Sequence, residues 1–146
     1  MVIGIFGESC VGKSTFAHRL RARLDAEVYT GKDFLRVAKN EAEAKRIFQE
    51  KLRAAMDGAH VVYVIAEREH LSMLPEGAVR VLATAGLETI KARFAQRMGG
   101  NLPVPVAEML ERNHGIFDSE LHHVHIISGE TELDTACEQV LRLIPA

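Results

Sequence analysis

The sequence predicts an α/β fold, a three-layer α/β/α sandwich in which a mainly parallel five-stranded sheet is covered by helices on both faces and carries a short lid. Three observations predict it. Short, near-continuous apolar runs alternate with longer amphipathic stretches from one end of the chain to the other. The first apolar run, Val2-Ile3-Gly4-Ile5-Phe6, passes directly into a glycine-bounded turn and then a helical pattern. Finally, 146 residues that are 47% hydrophobic and 26% charged suit one domain with its own core, here 1–146 with the lid at about 93–113.

The elements follow in order. Val2–Phe6 is apolar at nearly every position, as a strand buried on both faces must be. Residues 13–25 place Phe16, Leu20 and Leu24 at i, i+4 and i+8, with Arg19, Arg21 and Arg23 on the other faces, which predicts an amphipathic helix. Residues 27–29 are a weak second strand running into Thr30-Gly31, and 33–56 reads helical, with Asn40 as a cap dividing it in two. Residues 61–65 are β-branched and the strongest strand; 79–83 is a fourth strand and 87–98 a helix. Residues 99–105 hold the densest Gly and Pro of the chain and predict a loop. A helix over 106–114, a short strand over 124–127 and a closing helix over 132–143 complete the pattern.

Composition excludes several classes of function. A net charge of −2 supplies no general attraction to nucleic acid or anionic membrane. The apolar run at 61–66 is too short to span a bilayer, and the first apolar run lacks the preceding positive charge of a secretory signal. Cys10 and Cys137 make no disulfide framework. The expected setting is cytoplasmic, with a small molecule as partner rather than nucleic acid or membrane.

Gly7-Glu8-Ser9-Cys10-Val11-Gly12-Lys13-Ser14-Thr15 fits G-x-x-x-x-G-K-[ST] without mismatch, between a buried strand and an amphipathic helix. Such a loop turns backbone N–H groups inward onto phosphate, and the helix behind it presents its positive end. Lys13 supplies a mobile cation for the β- and γ-phosphates, and Ser14 a hydroxyl for Mg²⁺. ATP and Mg²⁺ are therefore the expected cofactors. Cys10 reads as a small residue that fits the loop, with a redox-sensitive thiol as the alternative.

Other residues indicate what happens to the triphosphate. Arg93 and Arg97 are four apart on one helix face, just before the Gly/Pro loop, with Arg112 beyond it. Arginines so placed can close on a transferring phosphoryl group and exclude water; otherwise they are solvated helix charges. Asp33 and Arg36 follow the second strand, where ligands of parallel sheets bind. Asp33 could hold Mg²⁺-bound water, take a proton from a hydroxyl acceptor, or cap a helix, and Arg36 could grip an acceptor phosphate or be a surface charge. Ser128, after the last strand, borders the expected base site. No Asn-Lys-x-Asp guanine-reading stretch occurs, and the third strand ends in Glu67-Arg68-Glu69 rather than paired acids. His122, His123 and His125 alternate faces on a strand and read as a solvated edge rather than a metal site.

Taken together, the phosphate loop, the stretch Thr30-Gly31 through Arg36 and the run from Val64 to Met98 resemble the P-loop nucleoside monophosphate kinase group, the cytidylate kinases most. Pro75, Leu82-Ala83-Thr84-Ala85 and Arg93/Arg97 stand in the family's order. The resemblance implies that Arg68 grips an acceptor's phosphate, that Glu69 helps read the acceptor, and that Lys13, Arg93 and Arg97 assist transfer. Glu67-Arg68-Glu69 replaces the family's Gly-Arg-Asp, and a plain helical stretch fills the place of its acceptor-binding insertion. Two alternatives stand beside it: a shikimate, gluconate or adenylylsulfate type of kinase with a hydroxyl acceptor, and an ATP-binding sensor without turnover.

Overall fold

In β1 (Val2–Phe6) every residue is buried, and alternate side chains enter opposite layers. Ile3 and Ile5 join one core, Val2 and Phe6 the other, the period-two division that a strand imposes. The computed structural model describes residues 1–145. Around β1 stand β2 (Ala26–Thr30), β3 (His60–Ile65), β4 (Val79–Thr84) and β5 (Val124–Ile127), in the order β2-β3-β1-β4-β5. Every pairing is parallel, with Gly4 level with Tyr63 on one side and Arg80 on the other. The chain builds β2 and β3 on one side of β1, then crosses to build β4 and β5 on the other. That reversal opens a crevice at the carboxyl end of β1.

Helices cover both faces. Phe16, Ala17 and Leu20 of α1 (Lys13–Arg23) and Ala136, Cys137 and Val140 of α5 (Leu133–Leu143) pack with Ile3, Ile5, Val62 and Val81. On the opposite face, Ala44, Phe48 and Leu52 of α2 (Glu41–Ala55) meet Tyr63, Ile65 and Phe34. Phe48 lies edge-on to Tyr63 at 5.0 Å and stacks on Phe34 at 5.9 Å. α3 (Leu87–Arg97) and α4 (Val104–Asn113) form a hairpin at the carboxyl edge, joined by Lys91 Nζ donating to Glu111 at 2.5 Å.

The predicted architecture is present, with local differences. Asn40 divides 33–56 as expected, its side chain accepting from Glu43 N at 3.1 Å, but the first piece is a 3-10 turn, Asp33–Val37. α1 ends at Arg23, two residues before the expected boundary. α4 starts at Val104, inside the expected 99–105 loop, because a helix's first turn needs no internal N–H donor and so admits Pro105. A second 3-10 turn, Arg68–Met73, was not foreseen. Among the described residues no helix is long and apolar enough to cross a membrane.

Candidate active site

The loop between β1 and α1 takes its shape from close packing and unusual backbone angles. A Cβ on Gly7 would lie 2.2 Å from the Ala83 carbonyl oxygen, so only glycine lets the loop leave β1 against β4. Gly12 has φ +94°, and Cys10 adopts the left-handed region at φ 63°, uncommon for a residue with a side chain. The Cys10 carbonyl is held by Arg93 Nη1, which donates to it at 2.9 Å. Phe16 N donates to Gly12 O at 3.1 Å, while the amides of residues 13–15, the first turn of α1, donate to no acceptor among the described residues. Unpaired amides at a helix N-terminus are what a chain of phosphates needs.

Lys13 lies at the centre of this loop, only 8% exposed. Its ammonium donates to Gly7 O at 2.7 Å and Glu8 O at 2.5 Å, folded back on the loop that it closes. Burial lowers its pKa to about 8, opposed in part by Cys10 and Glu8 and reinforced by the positive charge of Arg97.

Two cavities meet at the loop. The larger, about 550 Å³, is lined by Lys13, Ser14, Lys32, Asp33, Arg36 and Arg97 together with loop backbone. The second, about 290 Å³, is bounded by Val11, Thr15, Arg93, Ile126, Ser128 and Leu133. Arg97 lines both. Arg93 instead spans from Cys10 O to Ser128 Oγ, donating to the latter at 2.7 Å, and so forms a wall of the smaller cavity. The two arginines, equivalent by helical spacing, occupy different parts of the site.

At the β2 end of the larger cavity, Asp33 Oδ2 accepts from Thr30 N at 2.9 Å and Thr30 Oγ1 at 3.2 Å, which folds the carboxylate over the end of β2. Arg36 stands 3.8 Å from Asp33 Oδ1 and is largely exposed. Beneath them the buried Tyr63 hydroxyl donates to Gly31 O at 2.8 Å, while Gly31 N donates to Val64 O at 2.9 Å. Burial raises the Tyr63 pKa, keeping the phenol protonated and able to donate. Sequence reasoning missed Tyr63 as a support; its one polar atom in a buried strand was the available signal.

Three expected residues lie differently from expectation. Arg68 pairs with Glu120 at 3.1 Å and Glu69 is exposed beside His70; neither lines either of the two cavities. Arg68 opens the 3-10 turn Arg68–Met73 and turns its guanidinium to Glu120, 52 residues away in sequence. Glu8 contributes its backbone to the loop, but its carboxylate accepts from Gly115 N at 3.1 Å and lies 3.1 Å from His114 Nδ1, behind the loop. Ser9, Val11 and Thr15 line the larger cavity.

The fold implies Mg²⁺, and the residues fit it. Ser14 and Asp33 border one cavity and offer hydroxyl and carboxylate oxygens, the hard donors that Mg²⁺ takes alongside phosphate oxygens and water.

The sequence matches no family model and no curated protein. Solved structures do match. Shikimate kinase from Acinetobacter baumannii in complex with shikimate superposes with TM-score 0.64 at 16% identity, over 98% of this chain and 92% of that one. A sugar kinase from Janibacter sp. HTCC2649 gives TM-score 0.64 at 16% identity, over 97% and 92%. A gluconokinase from Sinorhizobium meliloti 1021 gives 0.61 at 15%, over 98% and 90%. At these identities the likeness is one of fold, and this chain has the α/β fold of small P-loop kinases along nearly its full length.

Proposed function

We propose that the protein is an ATP- and Mg²⁺-dependent kinase that transfers the γ-phosphoryl group to a hydroxyl of a small anionic metabolite. The observation that carries this is the shared cavity of Lys13, Ser14 and Asp33, with Lys32, Arg36 and Arg97 around it. A carboxylate facing the phosphate loop suits an acceptor with a proton to lose; the three cations suit one with negative charge. Structural neighbours named as shikimate kinase, gluconokinase and sugar kinase support a small metabolite with a hydroxyl as acceptor. The nucleotide-acceptor reading is less favoured. Arg68 and Glu69 lie outside the cavity, and α2 buries Ala44, Phe48 and Leu52 in the core where that family inserts its acceptor-binding segment.

In this reading the amides of residues 8–15 and Lys13 hold the triphosphate, and Arg93 and Ser128 flank the base. Asp33 takes the proton from the acceptor hydroxyl as its oxygen bonds to the γ-phosphorus. The bond from that phosphorus to the bridging oxygen breaks, and ADP leaves. Arg97, reaching the junction of both cavities, faces the developing charge. Mg²⁺ on Ser14 neutralises phosphate charge when bound. The chain acts as a single domain, with α3 and α4 as the lid. Two buried, unpaired cysteines agree with a cytoplasmic setting.

The test is ADP release with each of a panel of hydroxy acids, sugar acids, sugars, nucleosides and nucleoside monophosphates. Stimulation by an anionic hydroxy compound is the expected result. Stimulation by CMP alone would replace this reading with the nucleotide one, and tight ATP binding with no stimulation by any acceptor would leave a sensor.

A further inference from the structure

We propose that Glu67, Glu69 and His70 form a divalent-cation site of the zinc class, beside the acceptor cavity and separate from the phosphate loop. All three come from the segment that leaves β3. Glu67 precedes the 3-10 turn Arg68–Met73, and that turn brings Glu69 and His70 back toward it. One ligand atom from each lies within 4.8 Å of the others. His70 Nε2 is 3.8 Å from Glu67 Oε2 and 3.8 Å from Glu69 Oε1.

The histidine sets this cluster apart from an ordinary acidic surface. Its side chain is only 4% exposed and packs edge-on to Phe34 at 5.4 Å. Nδ1 is buried with no partner, and 3.8 Å exceeds hydrogen-bonding reach from Nε2 to either carboxylate. Nε2 is the nitrogen that faces the cluster, 3.8 Å from each carboxylate, so the buried ring presents a fixed ligand atom between two movable ones. A metal bound at about 2.1 Å from each ligand would hold them about 3.4 Å apart. Each exposed carboxylate needs to approach the imidazole, which packing already fixes, by about 0.4 Å from its present 3.8 Å, and the two must settle about 3.4 Å from each other. One imidazole and two carboxylates are a borderline donor set that suits Zn²⁺, with water as the fourth ligand.

The site also touches the acceptor cavity. Glu67 Oε1 is 3.9 Å from Lys32 Nζ, and Lys32 lines that cavity. A cation that takes the Glu67 charge releases Lys32 toward the acceptor. This consequence rests on the proposed function; the metal site itself does not.

The experiment is titration of chelator-stripped, full-length protein with Zn²⁺ alone, in competition with a chromophoric chelator and by thermal shift. Wild type is expected to bind a single ion and to be stabilised by it. Glu69→Gln, at an exposed position, should weaken Zn²⁺ by more than about tenfold and abolish the thermal shift. His70→Gln should do the same, with Glu69→Gln deciding if that buried substitution fails to fold. His122→Gln combined with His125→Gln should leave binding intact. No binding at micromolar Zn²⁺, or an ion kept by Glu69→Gln and lost in the His122/His125 variant, overturns the proposal.

Discussion

Glu8 and His114 are joined across 106 residues of sequence, Glu8 Oε1 lying 3.1 Å from His114 Nδ1 while Oε2 accepts from Gly115 N. The phosphate loop is thereby tied to the end of α4, the second helix of the α3–α4 hairpin. Glu8 is 9% exposed, so this tie is made largely out of water, where hydrogen bonds to a carboxylate are strong. Glu8→Ala should cost about 1–3 kcal/mol of stability, by urea denaturation, and weaken ATP binding by loosening the loop. Unchanged denaturation and unchanged ATP affinity would show that the tie holds nothing.

Lys13 gives the folded state a pH signature. Its pKa is about 8 in the folded protein and 10.5 ordinarily, so between those values the unfolded chain binds more protons. Stability should therefore rise with pH across that window, by about 3 kcal/mol in all from this residue. ATP affinity should move the other way, falling above about pH 8 as the ammonium is lost. Lys13→Met should abolish ATP binding, remove that slope, and leave the ligand-free protein at least as stable near neutral pH. A drop in its urea midpoint there would contradict the cost assigned to the buried ammonium.

The residues that were legible in the sequence and those that were not differ in the range of the interaction involved. β1, the loop and α1 are contiguous, so periodicity and glycine spacing carry them. Asp33 was legible because the end of a parallel strand faces the crevice wherever that strand lies in the sheet. The position of Arg68 depends on Glu120 and that of the Glu8 carboxylate on His114, partners that no local pattern names. Arg93 and Arg97 share a helix face by spacing, yet only the position of Ser128 in space separates their roles.

Asp33→Asn separates proton acceptance from binding. An Asn carbonyl oxygen can still accept from Thr30 N, so the turn should keep its shape. The rate of phosphoryl transfer to a hydroxyl acceptor should fall by about 10²–10⁴, with ATP affinity measured without Mg²⁺ unchanged. Full activity in single-turnover measurements would remove Asp33 from the proton's path.

Tyr63→Phe deletes one buried hydroxyl and leaves Gly31 O without that donor. It should destabilise by about 1 kcal/mol and raise the acceptor KM more than the ATP KM, because Gly31 precedes the acceptor side of the cavity. Equal changes in both KM values would indicate a general packing effect.

Arg93 and Arg97 should fail in different ways when truncated. Arg93 already donates to Cys10 O and Ser128 Oγ, so its groups are committed to the walls of the smaller cavity. Arg93→Ala frees the Cys10 carbonyl and opens that wall; it should raise the ATP KM and lower stability by about 1–3 kcal/mol. Arg97 makes no ion pair among the described residues, borders both cavities, and lies close enough to Lys13 to depress its pKa. Arg97 is exposed and hydrated, so its charge costs little in the free protein and acts when negative charge arrives at the junction, which is greatest as the phosphoryl group transfers. Arg97→Ala should therefore lower kcat by about 100-fold or more with little change in stability. It should also raise the Lys13 pKa, moving the alkaline fall in ATP affinity to higher pH. An Arg97→Ala enzyme with normal kcat, or an unmoved alkaline limb, would assign the charge at that junction to another group.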